Sequence, residues 1–264
     1  MVNQLRQIGI IGGGNMGAAI INGIHKQCLV SVAECDAKKA QALKRKYRVR
    51  TVDLKTVCQS DVIILAVKPQ DFEGVLQEIR RYISKRPLII SIAAGITTPY
   101  IEKTLKNRVR VVRAMPNLPL QIGEGMTALC AGKYATGADL AAASQIFARV
   151  GKVVVVGEKS MNAVTAVSGS GPAYVFLFAE MLGQAARSLG LKEDLANQLV
   201  LQTLKGSVKL LEQAKEPASV LRARVTSKGG TTQAALNVFV KHKLEKIFTD
   251  ALRAASNRAR ELSR

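Results

Sequence analysis

The stretch GIIGGGNMGAAI, residues 9–20, decides how the rest of the chain is read. An apolar run ends at Ile11. Glycines follow at Gly12, Gly14 and Gly17, the spacing G-x-G-x-x-G, and from Asn15 onward Met16, Ala19, Ile20, Gly23 and Ile24 recur on one helical stripe. Strand, glycine turn and helix in that order open a dinucleotide-binding unit. Gly12 permits the tight turn, Gly14 lets backbone approach a pyrophosphate, and Gly17 lets helix pack closely on strand. The unpaired N–H groups at the helix start carry a partial positive charge that favours phosphate. Ile11, Gly12, Gly13, Gly14, Asn15, Met16 and Gly17 are therefore the expected cofactor-binding residues.

Outward from this turn, strand-sized apolar runs alternate with helical patterns. VSVAEC (30–35), DVIILAV (61–67), LIISIAA (88–94) and VRVVRAM (109–115) read as buried strands, with helices over 37–47, 71–83 and 98–106 between them. Continuous apolar strands separated by helices imply a parallel sheet covered on both faces, a doubly wound α/β fold of Rossmann type. GMTALCAG, a helix over 138–149 and KVVVVG complete it, with an antiparallel edge. After Glu158 valine-rich strands cease and the pattern is helical: 161–189, 192–214, a short turn after Pro217, then Thr231 to the end. The expected division is residues 1–160 for the nucleotide-binding domain and 161–264 for an all-helical second domain. PAYVFLFAEMLGQAARSL in that half carries Val175, Phe176, Phe178, Met181 and Leu182, more apolar surface than one helix stripe needs, which points to a subunit interface.

Glu34 ends the second strand, where an acid can bind the ribose 2′-hydroxyl of NAD(H); Lys38 and Lys39 follow and suit the 2′-phosphate of NADP(H). The two pull in opposite directions, so both cofactors are expected to serve. A second glycine turn, VTSKGGTTQAAL (225–236), repeats the anion-holding pattern: Gly229 and Gly230 free the backbone, and Thr231 and Thr232 read as a capped helix start. SGSGPAY (168–174) interrupts a helical segment, and Pro172 with its glycines should kink or break it. Small residues there allow close approach of backbone to a ligand or to a partner helix, and Ser170 is counted among the substrate contacts on the first of these readings.

Composition narrows the function classes. The net charge is +20, yet Lys and Arg spread along the whole chain, aromatic residues are 4% and Trp is absent, so base-stacking platforms are poorly supplied and nucleic acid is not expected as partner. Only His25 and His242 are present, which argues against a histidine-built metal site or triad. Cys28, Cys35, Cys58 and Cys130 show no C-x-x-C spacing and read as free thiols of a reducing cytoplasm. The start MVNQLRQ lacks a charged-then-apolar leader, and the apolar runs are too short to span a bilayer.

Taken together, GIIGGGNMGAAI, AVKPQ, SIAAG, RAMPNLP, SGSGPAYVF and VTSKGGTT resemble the pyrroline-5-carboxylate reductase family in order and spacing over nearly the full chain. The resemblance implies a Rossmann domain followed by a helical dimerisation domain, homodimers that assemble into a ring of five, and hydride transfer from NAD(P)H to the C=N carbon of a cyclic imine, giving L-proline. It places Ala66, Val67, Lys68 and Pro69 on the nicotinamide side of the cofactor pocket, with Ala93 and Ala94 close by. It makes Gly229, Gly230, Thr231 and Thr232 substrate contacts, with the Thr232 hydroxyl as the catalytic group bonded to the imine nitrogen. The two glycine turns then have separate tasks, one for cofactor phosphate and one for the substrate carboxylate. Lys228 stands where the family commonly has proline, and Arg222–Ala223 where it has a basic residue followed by Asp. A beta-hydroxyacid dehydrogenase on the same plan would instead need a catalytic lysine, such as Lys205 or Lys209, and would not need SKGGTT. A third reading is a basic nucleic-acid-binding or regulatory protein that keeps a Rossmann domain as a sensor.

Overall fold

The computed structural model describes residues 7–83, 87–106 and 108–263. Residues 1–6, on which most of the leader reading rests, lie outside them. Among the described residues β1 (Gln7–Ile11), β2 (Leu29–Ala33), β3 (Arg50–Thr51), β4 (Val62–Leu65), β5 (Leu88–Ser91), β6 (Arg110–Met115), β7 (Gly125–Ala131) and β8 (Gly151–Val155) form one sheet, ordered β3-β2-β1-β4-β5-β6-β7-β8. All neighbours are parallel except β6 and β7, so the last two strands run against the other six. The direction of winding reverses between β1 and β4, and the crevice beyond the carboxyl ends of these strands is where such sheets bind ligands.

Two apolar layers cover the sheet. Ile8, Ile10, Ile64 and Ile90 face one side with Ile20 and Ile24 of α1 (Asn15–Ile24) and Phe147 of α6 (Gly137–Phe147). Ile63, Leu65 and Ile89 face the other with Leu76 of α4 (Phe72–Ile79) and Ile101 of α5 (Thr98–Leu105). Burial on both faces explains why the strands read as continuous apolar runs instead of alternating ones. α2 (Ala37–Tyr47) falls where its polar pattern predicts. β3 and the single turn α3 (Leu54–Val57) escape the sequence reading, because two and four residues are too short for periodicity to register.

The helical stretch begins with α7 (Met161–Val164) and a π-helical turn, Thr165–Gly169. Then come α8 (Gly171–Ser188), α9 (Glu193–Ala214), α10 (Ala218–Arg224), α11 (Thr231–Lys241) and α12 (Leu244–Glu261). The expected single helix after Thr231 is thus two, broken at Lys243, whose φ of 54° lies in the left-handed region. The turn after Pro217 is a seven-residue helix.

Two compact units result: residues 1–170 with 254–264, and residues 171–253. The first thus extends ten residues past the division expected at 160 and takes back the last turns of α12. Buried Met161 and half-buried Val164 keep residues past 160 on the sheet by packing with Met115, Ala128 and Cys130, and polar contacts anchor the segment before them and the end of the chain. Arg113, 2% exposed on β6, pairs with the Glu158 carboxylate, which also accepts the Thr98 hydroxyl at 2.8 Å. This ties the start of the helical stretch to β6 and α5. Near the C-terminus, the Ser263 hydroxyl meets Asn162 Oδ1 at 3.2 Å. In the second unit α8 packs on α9, while Val175, Phe176, Phe178 and Met181 remain exposed.

Candidate active site

The glycine turn after β1 is built by packing. Gly12 has φ +98°, and a Cβ there would lie 2.6 Å from the Ala66 carbonyl oxygen. Gly17 is buried under the same turn, where a Cβ would collide with the Gly12 carbonyl. The Gly12 N–H donates to Ala33 O at 2.9 Å and the Ala66 N–H to Ile11 O at 2.8 Å, so both sheet ladders continue into the turn and lock it. Gly14 is different. It is exposed, with no atom within 4 Å of its Cβ position.

Gly14 is also the N-cap of α1. It offers no side-chain cap, and the first turn, starting with exposed Asn15 and half-buried Met16, has no acid. α2, α3, α5 and α6 instead satisfy first-turn N–H groups internally, through Asp36, Asp53, Thr97 and Thr136. An open glycine start with unsatisfied N–H groups fits a pyrophosphate.

Glu34 follows β2 and reaches into this turn. Its carboxylate accepts the Gly13 N–H at 2.6 Å, the Asp36 N–H at 2.9 Å and the Cys35 thiol at 3.4 Å. Burial opposes its ionisation, but these hydrogen bonds and the Lys39 ammonium outweigh it and hold the carboxyl below its ordinary value. Lys39 itself is drawn to Asp36, with Nζ 3.7 Å from Oδ2. The free carboxylate lone pairs of Glu34 suit a ribose hydroxyl and oppose a 2′-phosphate.

Beyond β4 and β5 the same edge carries half-buried Ala66 and Val67, exposed Lys68 and Pro69, buried Ala93 and exposed Ala94. The structure thus gathers residues 11–17, 34, 66–69 and 93–94 at one sheet edge. The loop after β5 has a neighbour that no local pattern signals. A Cβ on Gly95, at φ +75°, would meet the Leu262 carbonyl oxygen at 2.7 Å, so the chain's last helical turn lies against this loop.

The second glycine turn belongs to the other unit. Gly229 has φ +71°, and Gly230, whose N–H donates to Ser227 O at 3.0 Å, is the N-cap of α11. The cap is therefore this glycine and not the threonines expected to provide it. Thr231 is exposed and Thr232 half-buried in the first turn, which has neither a side-chain cap nor an acid. This leaves the first-turn N–H groups and two hydroxyls for an anion with a hydrogen-bonding ring.

Ser170 sits half-buried just after the π-helical turn. One neighbour of that turn escaped the sequence reading. Asn117 of RAMPNLP donates from Nδ2 to the Ser168 carbonyl at 3.2 Å, while its Oδ1 accepts the Met126 N–H at 2.8 Å. His25 has a local role, its Nδ1 lying 3.1 Å from Ile21 O at the end of α1. Among the described residues no group of His, Cys, Asp and Glu is assembled to hold a metal ion. No helix among them is long and apolar enough to cross a membrane.

Known proteins with this architecture share both halves. The family model described as pyrroline-5-carboxylate reductase dimerisation matches residues 158–262. One described as NADP oxidoreductase, coenzyme F420-dependent, matches residues 7–95. A pyrroline-5-carboxylate reductase of Synechocystis is 39% identical over 265 residues, 98% of each chain. The structure of a pyrroline-5-carboxylate reductase from Coxiella burnetii superposes with a TM-score of 0.92 at 38% identity, covering 99% of this chain and 100% of that one. The pyrroline carboxylate reductase of Plasmodium falciparum with NADP bound gives 0.88 at 30% identity, covering 98% of each.

Proposed function

The chain belongs to the pyrroline-5-carboxylate reductase family, and from that premise we propose which residues carry the NAD(P)H-dependent reduction of 1-pyrroline-5-carboxylate to L-proline. The observation that carries the assignment is the pair of glycine-capped helix starts, α1 and α11, each without a side-chain cap or a first-turn acid. One suits the cofactor's pyrophosphate, the other the substrate's carboxylate.

When bound, the dinucleotide supplies a hydride to the C=N carbon. NADP(H) is the cofactor, and NAD(H) serves as well, because Glu34 offers an acceptor to an unphosphorylated ribose. Ile11, Gly12, Gly13 and Gly17 shape the cofactor turn, Gly14, Asn15 and Met16 present it to the phosphates, Ala66, Val67, Lys68 and Pro69 line the nicotinamide side, and Ala93 and Ala94 border it. The Gly229–Gly230 turn opens the start of α11 to the carboxylate, which the first-turn N–H groups from Thr231 onward hold. The Thr232 hydroxyl bonds the imine nitrogen and orients the ring, and Ser170 adds a polar contact. A protonated imine is already electrophilic, so orientation replaces an elaborate acid–base apparatus. That fits a chain whose two histidines include one engaged with its own helix end.

The dimerisation model makes the protein a homo-oligomer with a small-molecule substrate. The finer proposal is a homodimer assembled into a decamer, with the exposed apolar residues of α8 in the dimer interface. Residues 1–160 serve as nucleotide-binding domain and 161–264 as substrate-binding and dimerisation domain. Its four cysteines form no disulfide, which fits the reducing cytoplasm, where we place it. NADPH oxidation dependent on 1-pyrroline-5-carboxylate, with L-proline as product, is the expected result. No imine-dependent oxidation with either cofactor would sink the assignment, and a monomer in sedimentation at micromolar concentration would sink the interface.

A further inference from the structure

We infer that Asn117 is a positioning residue, whose side-chain amide takes the place of a backbone donor that Pro172 cannot supply. In an α-helix the Ser168 carbonyl accepts the N–H four residues on. That residue is Pro172, which has none. The chain meets the defect in two ways. The helix widens into the π-helical turn Thr165–Gly169, with the Ser170 N–H donating to Thr165 O at 2.8 Å. The Ser168 carbonyl is then satisfied from outside, by Asn117 Nδ2 at 3.2 Å.

Asn117 is itself held. Its Oδ1 accepts the Met126 N–H at 2.8 Å, which fixes the amide's orientation and leaves Nδ2 to aim at the turn. The turn also packs on the end of β6, because a Cβ on Gly169 would lie 2.6 Å from Met115 Cε. Residues 168–170 are thus gripped on two sides by the segment that carries RAMPN. π-Turns recur at functional sites, and this one sets the direction of the residue that follows it. Here the re-aimed residue is Ser170, so the catalytic consequence rests on the proposed contact of Ser170 with substrate.

The test separates the clamp from that reading. Asn117→Ala leaves the Ser168 carbonyl without its donor, and hydrogen exchange should speed up roughly 5- to 150-fold for the Ser170 amide and its neighbours. Asn117→Asp keeps the acceptor for Met126 but sets a carboxylate against the carbonyl, and should exchange at least as fast. Catalytic efficiency with the imine should fall roughly 10- to 100-fold in both variants, while the NADPH dissociation constant, read by fluorescence, stays unchanged. Pro172→Ala restores an N–H at that position, so in the double variant Asn117→Ala with Pro172→Ala the exchange defect should shrink. Unchanged exchange in Asn117→Ala, or strictly additive effects in the double variant, would overturn the clamp. Faster exchange with unchanged imine kinetics would overturn the positioning role. The reductase assignment fails separately, only if the wild-type chain turns over no imine.

Discussion

The two glycine-led helix starts share a chemistry and differ in construction. At α1 the backbone on both sides of the open cap Gly14 is locked. Gly12 lies under the Ala66 carbonyl, Gly17 under Gly12, and the Gly13 N–H is held by Glu34. At α11 the corresponding glycine stands open, with no atom within 4 Å of the Cβ position of Gly229. A pyrophosphate recurs unchanged in every turnover, so a rigid preformed cradle loses nothing by being fixed. The turn at α11 has left-handed backbone at Gly229 and packs only within itself, Gly230 against Ser227. Its geometry is set by glycine's freedom rather than by packing. Substitutions should therefore act on the two sites through different physics.

The largest effect is expected at Gly12. Gly12→Ala puts a methyl 2.6 Å from a carbonyl oxygen at φ +98°, adding a backbone clash to the strain of a left-handed L-residue. The strain alone costs about 1–2 kcal/mol, and the sheet edge must shift to relieve the clash. Thermal unfolding should show clear destabilisation and NADPH titration a loss of binding. Gly229→Ala, at φ +71° in open space, should carry only the strain and leave NADPH affinity intact. Equal losses of stability in the two variants would erase the distinction between locked and open turns.

Thr232 comes next. Thr232→Ala should lower catalytic efficiency with the imine by roughly 10- to 150-fold, the value of one charge-assisted hydrogen bond. Cofactor affinity should not move, since the phosphates are assigned to α1. Thr232→Val keeps the branched shape and removes the donor. Near-full efficiency in the valine variant, with an unchanged pH profile, would deny the hydroxyl a chemical role.

How much of this was legible depends on distance along the chain. Gly12, Gly14 and Gly17 lie within one turn, and strand, turn and helix pattern together, so the turn and the fold around it could be read directly. Thr232 was placed by resemblance, and the structure adds that its helix starts at Gly230. The longer-range contacts left no local trace. Asn117 and Ser168 are 51 residues apart, Thr98 and Glu158 are 60 apart, and Leu262 meets a loop at Gly95. Only Pro172 gave a local hint, since it has no N–H for the carbonyl four residues before it. The division at 160 followed composition, whereas compactness follows the packing of Met161 and Val164 on β6 and β7 and the returning end of α12.

Glu34 should give a smaller change. Glu34→Ser removes an anion from beside the ribose and should shift the ratio of catalytic efficiencies towards NADPH by roughly tenfold, the value of one hydrogen bond to a charged group. An unchanged ratio would remove Glu34 from cofactor choice. Its titration gives an independent reading. The folded carboxyl lies below the ordinary 4.5, so its contribution to stability is present above pH 4.5 and is lost as pH falls through the lowered value. Glu34→Gln should therefore melt earlier than wild type at pH 7, and the gap should close in acid. A gap constant down to pH 3 would mean that the carboxylate's bonds to Gly13 and Asp36 add nothing.

The smallest effect is expected from Lys228, which stands exposed beside Gly229 where the family commonly has proline. If α11 holds the substrate carboxylate through N–H groups without a wall, an ammonium next to it can act only as a solvated charge. Such a charge is worth about 1 kcal/mol or less, because water and salt screen it and a long flexible side chain must be ordered to use it. Lys228→Gln should then raise the KM for the imine roughly twofold to fivefold at low ionic strength, with kcat unchanged. The difference should fade at high salt, where the Debye length shrinks to about 3 Å. Lys228→Arg should behave as wild type at both salt levels. A defect in Lys228→Gln that persists at high salt would mean a direct contact with substrate, and α11 would then have the wall that its open glycine turn lacks.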